Sequence, residues 1–454
     1  MRLLRPAPEI EEIQDQEVVK KTYNYWRIRI FYSMFVGYAF YYFTRKSFTF
    51  VMPALMADLG LTKSELGIIA SIWAVAYGLS KFVSGVIGDR SNARYFMTFG
   101  LIATGVCNIL FGLFSSMTMF MVLWGINGWF QGFGWPACAR LLTHWYSQSE
   151  RGRWWALWNT SHNIGGAIIP IVTAFFAQYY GWRYAMILPG VVSIGMALFL
   201  MNRLGDTPQS LGLPPIERFR NDYGAKKPVA KERELSAKEI LFKYVLNNPY
   251  IWVLAVSYFF VYIIRMAIND WSILYLVEEK KYSQVQAGGI VFWYDFGGIF
   301  GSLAAGWASD KIFGGKRGPV SVLFSAATIG VLFVFGTFSE RAIVVDSALI
   351  FTCGFFIYGP QMLIGMHAAE IAHKKAAATA SGFVGWSAYI GAAVSGWPLG
   401  KITQELGWMG FFAALIVCGI MATLLLAPLW NTRSREEMDV AVAPQGEALE
   451  AEGA

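Results

Sequence analysis

Long apolar blocks recur along this chain: runs of about 18 or more apolar residues are separated by short polar or charged stretches. A helix needs about 20 such residues to cross the hydrocarbon core of a bilayer. Inside lipid each backbone N–H and C=O must find its partner within the protein, which a helix supplies along its own length. Blocks of this length therefore point to an all-α, polytopic membrane protein. The charge content agrees: 15% of the 454 residues are charged, against about a quarter in soluble chains.

Twelve spans can be drawn, at about 30–56, 64–87, 95–115, 118–142, 153–178, 184–203, 248–277, 284–308, 318–338, 345–370, 376–402 and 408–430. A polar stretch rich in Pro, Gly and charge, GDTPQSLGLPPIERFRNDYGAKK and onward, separates six from six. The expected organisation is an N-terminal segment 1–29, a six-helix bundle 30–203, a linker 204–247 with room for an interfacial helix, a second six-helix bundle 248–430, and an acidic, disordered tail 431–454. The N-terminal segment has no apolar core followed by a small-residue cleavage site, so no cleaved signal peptide is expected. Cys107, Cys138, Cys353 and Cys418 all fall in apolar blocks without metal-knuckle spacing. They read as packing residues, and neither a metal nor another cofactor is expected.

The net charge of +7 could indicate a nucleic-acid partner, but its placement indicates topology. With both termini and the linker on one side, that side collects 27 of the 37 Lys and Arg residues; the other collects six and four lie inside spans. The Lys/Arg-rich side is the cytoplasmic one. A lipid bilayer is the partner that this pattern predicts, and nucleic acid is not.

The halves repeat. Tyr42-x-x-Arg45 in span 1 matches Tyr262-x-x-Arg265 in span 7, and Gly85-x-x-x-Asp89-Arg90 after span 2 matches Gly306-x-x-x-Asp310-Lys311 after span 8. Both matches fall at nearly one offset, at equivalent places in the two halves. Parallel six-helix repeats joined by a long linker describe the major facilitator architecture, with substrate bound near the midplane between the halves. Asp89–Arg90 and Asp310–Lys311 would then lie at cytoplasmic helix ends, pairing with neighbouring helix ends when that face closes or standing solvated in turns.

Ionisable residues inside a span cost roughly 2.5–3.5 kcal/mol each on insertion scales, so they face the bundle interior and serve a purpose. The cations here are Arg45, Lys46, Lys81 and Arg265; the acids are Asp270 and Asp295, with Glu370 near an end of span 10 and His162 in span 5. One reading is that these cations pair with these acids and hold the halves together, Lys46 with Asp270 and Asp295. For Arg45 and Arg265 the acids run short. Two guanidiniums on the first helix of each half repel across an empty cavity and suit a small dianion. Arginine binds phosphate bidentately and stays charged, whereas lysine acts as a point charge. A phosphate monoester carries about −1.5 to −2 near neutral pH, enough to neutralise the pair. Lys81 could snorkel or face the pathway. His162 could bond a ligand beside Asn159 and Asn163, or sit satisfied in the core. Tyr38, Tyr42, Tyr262, Trp158 and Trp386 are expected to pack or face lipid, and Gly165–Gly166 and Gly297–Gly298 to mark close helix packing.

The stretches YFTRKSF, YGLSKFVSGVIGDRSNARYF, ERGRWWALWNTSHNIGGA, NPYIW, the R-x-x-x-x-D of span 7 and YGPQMLIG resemble the organophosphate:phosphate antiporters of the major facilitator superfamily. The resemblance covers roughly 25–430. DRSNARYF and PACARLLTHWYSQSERG are most similar to the hexose-phosphate transporter and sensor subgroup, and less so to the glycerol 3-phosphate carriers. It implies an exchanger that rocks between two states, moving a hexose phosphate such as glucose 6-phosphate inward against inorganic phosphate, in the bacterial inner membrane and not as an enzyme. It implies Arg45 and Arg265 for the phosphate, with Lys81 and His162 contributing, and Lys46 paired to Asp270 or Asp295. Aspartate stands at 295 where the family resemblance leads one to expect glutamate, which shortens the reach to Lys46 by one methylene. Members of the same subgroup act instead as membrane sensors of external glucose 6-phosphate that activate a histidine kinase, and the same motifs serve both. A carrier of another anion, such as a dicarboxylate, is a third possibility.

Overall fold

The computed structural model describes residues 5–89, 91–222, 240–338, 340–372 and 376–432. The protein is all-helical, with twelve spans in two pseudo-symmetric six-helix halves. The first half comprises α1 (Gln16–Leu59), α2 (Lys63–Asp89), α3 (Ala93–Leu113), α4 (Met117–Gln131) with α5 (Gly134–Trp145), α6 (Gln148–Tyr179) and α7 (Trp182–Arg203). After the short α8 (Ile216–Arg220), the second half comprises α9 (Pro249–Glu278), α10 (Gln284–Lys311), α11 (Arg317–Thr337), α12 (Ile343–Ile371), α13 (Ala377–Val394) and α14 (Trp397–Leu426). Span 4 is α4 plus α5. Span 11 is α13 plus the start of α14, and span 12 begins after Gly407, where the backbone turns left-handed (φ 67°).

Local chemistry sets the helix ends. Asp15 accepts the N–H groups of Glu17 and Val18 and starts α1 at Gln16, ahead of the apolar span expected from about residue 30; Gly60 ends it in the left-handed conformation that glycine adopts without strain. Asn248 caps α9 with Pro249 at its first position, where the missing N–H costs nothing. Ser283 forms a capping box with Gln286, and the Glu150 carboxylate reaches back to the Ser147 N–H. Eight stretches are long and apolar enough to cross a membrane on composition alone, one of them, Thr379–Leu429, covering two crossings. Neither α1, which carries Arg45 and Lys46, nor α10, which carries Asp295, is among them. The Lys46–Asp295 pair thus lies on two helices that composition alone does not mark as spans.

The halves meet by symmetry. The fifth span of the first half, α6, packs on the second span of the other, α10; the second span, α2, packs on the fifth, α13 with α14; and the two first spans, α1 and α9, face each other. The apolar core is continuous across the halves at the end away from the linker, where Val51, Leu66, Ile169 and Trp182 cluster with Ile268, Trp271, Ala287 and Leu399. At the linker end, the cluster of Tyr23, Phe96, Leu141, Trp145 and Leu200 stays within the first half. The halves are therefore closed at the far end.

The expected linker begins as a folded element. Its first residues form a cap over the first half, because the Asp206 carboxylate is fully buried and accepts from Ala7 N (3.0 Å), Ala93 N (3.0 Å) and Arg140 Nε (3.2 Å). A buried carboxylate persists only when so paired. Residues 223–239 and the acidic tail from 433 lie outside the described residues, as does Arg90.

Candidate functional site

The charged centre forms where α1, α9 and α10 meet at mid-span. Lys46 Nζ lies 2.5 Å from Asp295 Oδ2, and both side chains are buried. The other Asp295 oxygen accepts from the Tyr358 hydroxyl at 2.7 Å, and Arg265 Nη2 donates to that hydroxyl at 3.4 Å. One continuous chain thus runs from Lys46 in the first half through Asp295 and Tyr358 to Arg265 in the second. Aspartate, although short, reaches Lys46 because Gly166 of α6 leaves room. A Cβ there would stand 2.6 Å from Asp295 Oδ2 and 3.1 Å from Lys46 Nζ. Gly166 was expected to serve close helix packing; it makes space for an ion pair. Gly166→Ala should push Asp295 off Lys46, an overpacking cost of about 1–3 kcal/mol, and reduce exchange by roughly tenfold or more. Unchanged exchange and thermal stability in this variant would show that the bridge tolerates displacement.

Asp270 does not take Lys46. Its carboxylate accepts from the neighbouring Asn269 side chain and faces a cavity of about 30 Å³ that is also lined by Arg45, Lys46, Thr49 and Trp73. That volume holds one or two waters and no larger ligand.

Arg45 and Arg265 make no ion pair among the described residues. Aromatic rings receive them instead. The Arg45 guanidinium lies 5.0, 4.8 and 4.5 Å from the ring centroids of Tyr42, Trp73 and Tyr77, and that of Arg265 lies 5.2 and 5.0 Å from Tyr262 and Tyr358. Each such contact is worth about 0.5–2 kcal/mol, so two or three together match the cost of burying the cation without a carboxylate. Ring faces attract the charge while leaving most in-plane N–H donors unspent. Arg45 Nη1 donates to the Tyr42 hydroxyl at 3.3 Å, and Arg265 Nε has no partner among the described residues.

The aromatic support is itself held. Trp73 stacks on Tyr77 (5.1 Å, 7°) and donates its Nε1–H to Asn127 Oδ1 at 3.0 Å. The Asn127 amide donates in turn to Thr44 O, Thr104 O and Asn108 Oδ1. Tyr42 and Tyr262 were expected to pack or face lipid; the i to i+3 spacing of Tyr-x-x-Arg puts each ring beside its arginine. That repeat carried the signal. Trp73, Tyr77, Asn127 and Tyr358 come from other helices, and no local pattern marks them. Of the remaining aromatics, Trp158 is buried and packs on Tyr38 (4.9 Å), while Trp386 is exposed.

Lys81 is exposed, with Nζ 5.2 Å from the Tyr389 ring and 6.0 Å from Trp135. Tyr389 also meets Tyr77 (5.0 Å), so Lys81 stands about one helical turn from the Arg45 platform, on its linker side. The His162 ring lies 5.6 Å from that of Tyr42. Asn163 is buried with Oδ1 unpartnered, whereas Asn159 is exposed. Asp310 pairs within its own half, with Arg317 at 2.5 Å, and Arg317 also binds Glu370 at 2.9 Å. Lys311 is exposed. Asp89 ends α2.

The far end is closed by contacts between the halves. Lys63 pairs with Glu278 at 2.9 Å, and Trp408 Nε1 also donates to Glu278, at 3.2 Å. Ser64 N donates to Gln404 (3.1 Å), and Val285 N to Gln178 (3.1 Å).

A family model described as Major Facilitator Superfamily matches residues 34–396. The chain is 58% identical to a probable hexose phosphate transport protein of Chlamydia pneumoniae, over 96% of this chain and 98% of that protein. It is 50% identical to the membrane sensor protein UhpC of Salmonella typhimurium, over 94% and 96%. With the glycerol-3-phosphate transporter of Bacillus subtilis it shares 41% identity, over 96% and 99%. Among solved structures, an inward-facing, unoccupied bacterial homolog of the human lysosomal transporter Spinster superposes with a TM-score of 0.71 at 14% identity, covering 89% of this chain and 96% of that one. That structural likeness establishes the fold, and the sequence relatives establish the branch. The chain is an integral membrane protein of the major facilitator superfamily and belongs to its organophosphate:phosphate antiporter family.

Proposed function

We propose that this protein exchanges a hexose phosphate, with glucose 6-phosphate as the first substrate to test, for inorganic phosphate across the bacterial inner membrane, with both termini and the linker in the cytoplasm. The observation that carries the proposal is the pair Arg45 and Arg265: two half-buried guanidiniums in opposite halves, without carboxylate partners among the described residues, resting on aromatic faces. A phosphate dianion satisfies both at once. In its absence, the two like charges repel across the site. When phosphate binds, the repulsion becomes a bridge and the halves can rock around it. Exchange is then obligatory, since the empty site resists occlusion. Lys81 and His162, near Tyr77 and Tyr42, are assigned to the approach and to hydrogen bonding of the substrate. Lys46, Asp295 and Asp270 are assigned to the interhalf gate. The function is transport, and no chemical step is assigned to any residue.

The 50% identity to a protein named a membrane sensor favours one further reading: a receptor for external glucose 6-phosphate that signals to a partner kinase. The test is uptake of labelled glucose 6-phosphate into proteoliposomes with and without internal phosphate. Uptake that requires internal phosphate supports the exchanger. Binding without uptake in either condition would replace it with the sensor.

A further inference from the structure

Span 11 is interrupted in its backbone, and a side chain from the other half completes it. α13 ends at Val394 and α14 begins at Trp397, with Gly396 between them outside helical geometry (φ −83°, ψ −99°). The pattern of bonds to the carbonyl four residues back fails from Gly396, whose N–H donates three residues back to Ala393 O at 3.2 Å, through Pro398. Pro398 has no N–H, and its ring crowds the carbonyl four residues earlier, so the bond to Val394 cannot form. The preceding bond, from Trp397 N–H to Ala393 C=O, is occupied by Ser71 of α2. Trp397 N donates to Ser71 Oγ at 2.7 Å, and Ser71 Oγ donates to Ala393 O at 2.6 Å. A hydroxyl is the smallest group that can both accept and donate within one helical turn.

The approach is backbone to backbone. A Cβ on Gly67 would stand 2.6 Å from Gly396 O, and one on Gly396 would stand 2.6 Å from Gly67 O and 2.7 Å from Ser71 N. Only glycine at both positions lets α2 come near enough for Ser71 to enter the break. The break is also fastened to the binding site. Trp271 Nε1 donates to Ser395 O at 2.9 Å, and Trp271 follows Asp270 on α9, the helix that carries Arg265.

We infer, resting on the alternating access proposed above, that Ser71 is a positioning residue for exchange: it latches the far end shut by standing in a helical hydrogen bond of span 11. Its release leaves no polar group orphaned. As α2 withdraws, Trp397 N–H closes on Ala393 O, the ordinary partner four residues back. Ser71 Oγ turns to Gly67 O, the carbonyl four residues back in its own helix, where serine hydroxyls commonly bond. The unmade bonds are replaced in both states, so the interface holds two arrangements of similar energy, as a rocking exchanger needs. The kink of span 11 is the element that changes: it is deep with Ser71 inserted, and shallower, set by Pro398 alone, when the far end opens.

The experiment places spin labels at Ser116→Cys and Met409→Cys, exposed far-end positions in the two halves, with Cys418→Ser so that the partly exposed native thiol is silent. Distances are measured with and without inorganic phosphate. The parent should show two distances, with the closed one dominant. Ser71→Ala should raise the open-to-closed ratio by roughly tenfold, the worth of about one net hydrogen bond lost from one state. Ser71→Thr, which keeps the hydroxyl, should stay closer to the parent. Pro398→Ala lets span 11 compete for its own bonds and should shift the ratio the same way as Ser71→Ala, which keeps the test open should that variant fail to insert. Two distances in the parent with the same ratio in Ser71→Ala and Pro398→Ala would overturn the latch. A single distance in the parent, unmoved by phosphate, would overturn alternating access instead.

Discussion

Phosphate exchange falls by roughly 10- to 100-fold in Arg45→Lys and again in Arg265→Lys, while both variants insert and fold like the parent. The charge is kept and the fork is lost. A charge-assisted hydrogen bond is worth about 1.5–3 kcal/mol, and lysine cannot present two parallel donors to one phosphate. The ring faces sharpen the effect. Tyr42, Trp73 and Tyr77 at 4.5–5.0 Å orient a flat guanidinium, whereas an ammonium has no plane for them to orient. The measurement is phosphate–phosphate exchange in proteoliposomes at matched protein density. Near-parental exchange in both variants would remove the arginine clamp from the mechanism.

Loss of either partner of the central bridge should lower stability more than any other single change in the site. In Lys46→Ala, Asp295 keeps the Tyr358 hydroxyl and loses its cation; in Asp295→Asn, Lys46 is left charged and buried. Breaking a buried ion pair from one side costs about 3–5 kcal/mol, which should appear as a clear drop in melting temperature in detergent. The double variant Lys46→Met with Asp295→Leu should recover most of that loss, because two apolar groups leave no buried charge behind. Exchange should not return with it. Without Lys46 and Asp295, the polar chain that runs from the first half to Tyr358 and Arg265 is cut. Single variants as stable as the parent would show that the pair is not buried in the membrane, and full exchange in the double variant would show that the bridge is not a gate.

How much of this was legible beforehand depends on the kind of fact. Block lengths, the Lys/Arg asymmetry and the Tyr-x-x-Arg repeat at 42–45 and 262–265 lie within single helices or in their order, where a chain records them directly. The partners of those residues do not. Nothing along α2 distinguishes Trp73 and Tyr77, under Arg45, from aromatics that face lipid. Nothing in α4 marks Asn127 as the anchor of Trp73. The break in span 11 was hidden for the same reason: Pro398 announces a kink, but the serine that completes it is more than 300 residues away.

By itself the sequence determined an all-helical membrane protein of two repeated halves, and it named the charged residues that such a protein must turn inward, since buried charge and backbone satisfaction leave few other solutions. Tertiary structure alone decided that Lys46 goes to Asp295 and not Asp270, that Arg45 and Arg265 rest on rings instead of acids, and that the far end closes through Ser71. Those choices depend on how closely two helices approach and how each is rotated. Here that is set at contacts such as Gly166 beside Asp295 and Gly67 against Gly396, where the absence of a single Cβ decides which groups can meet.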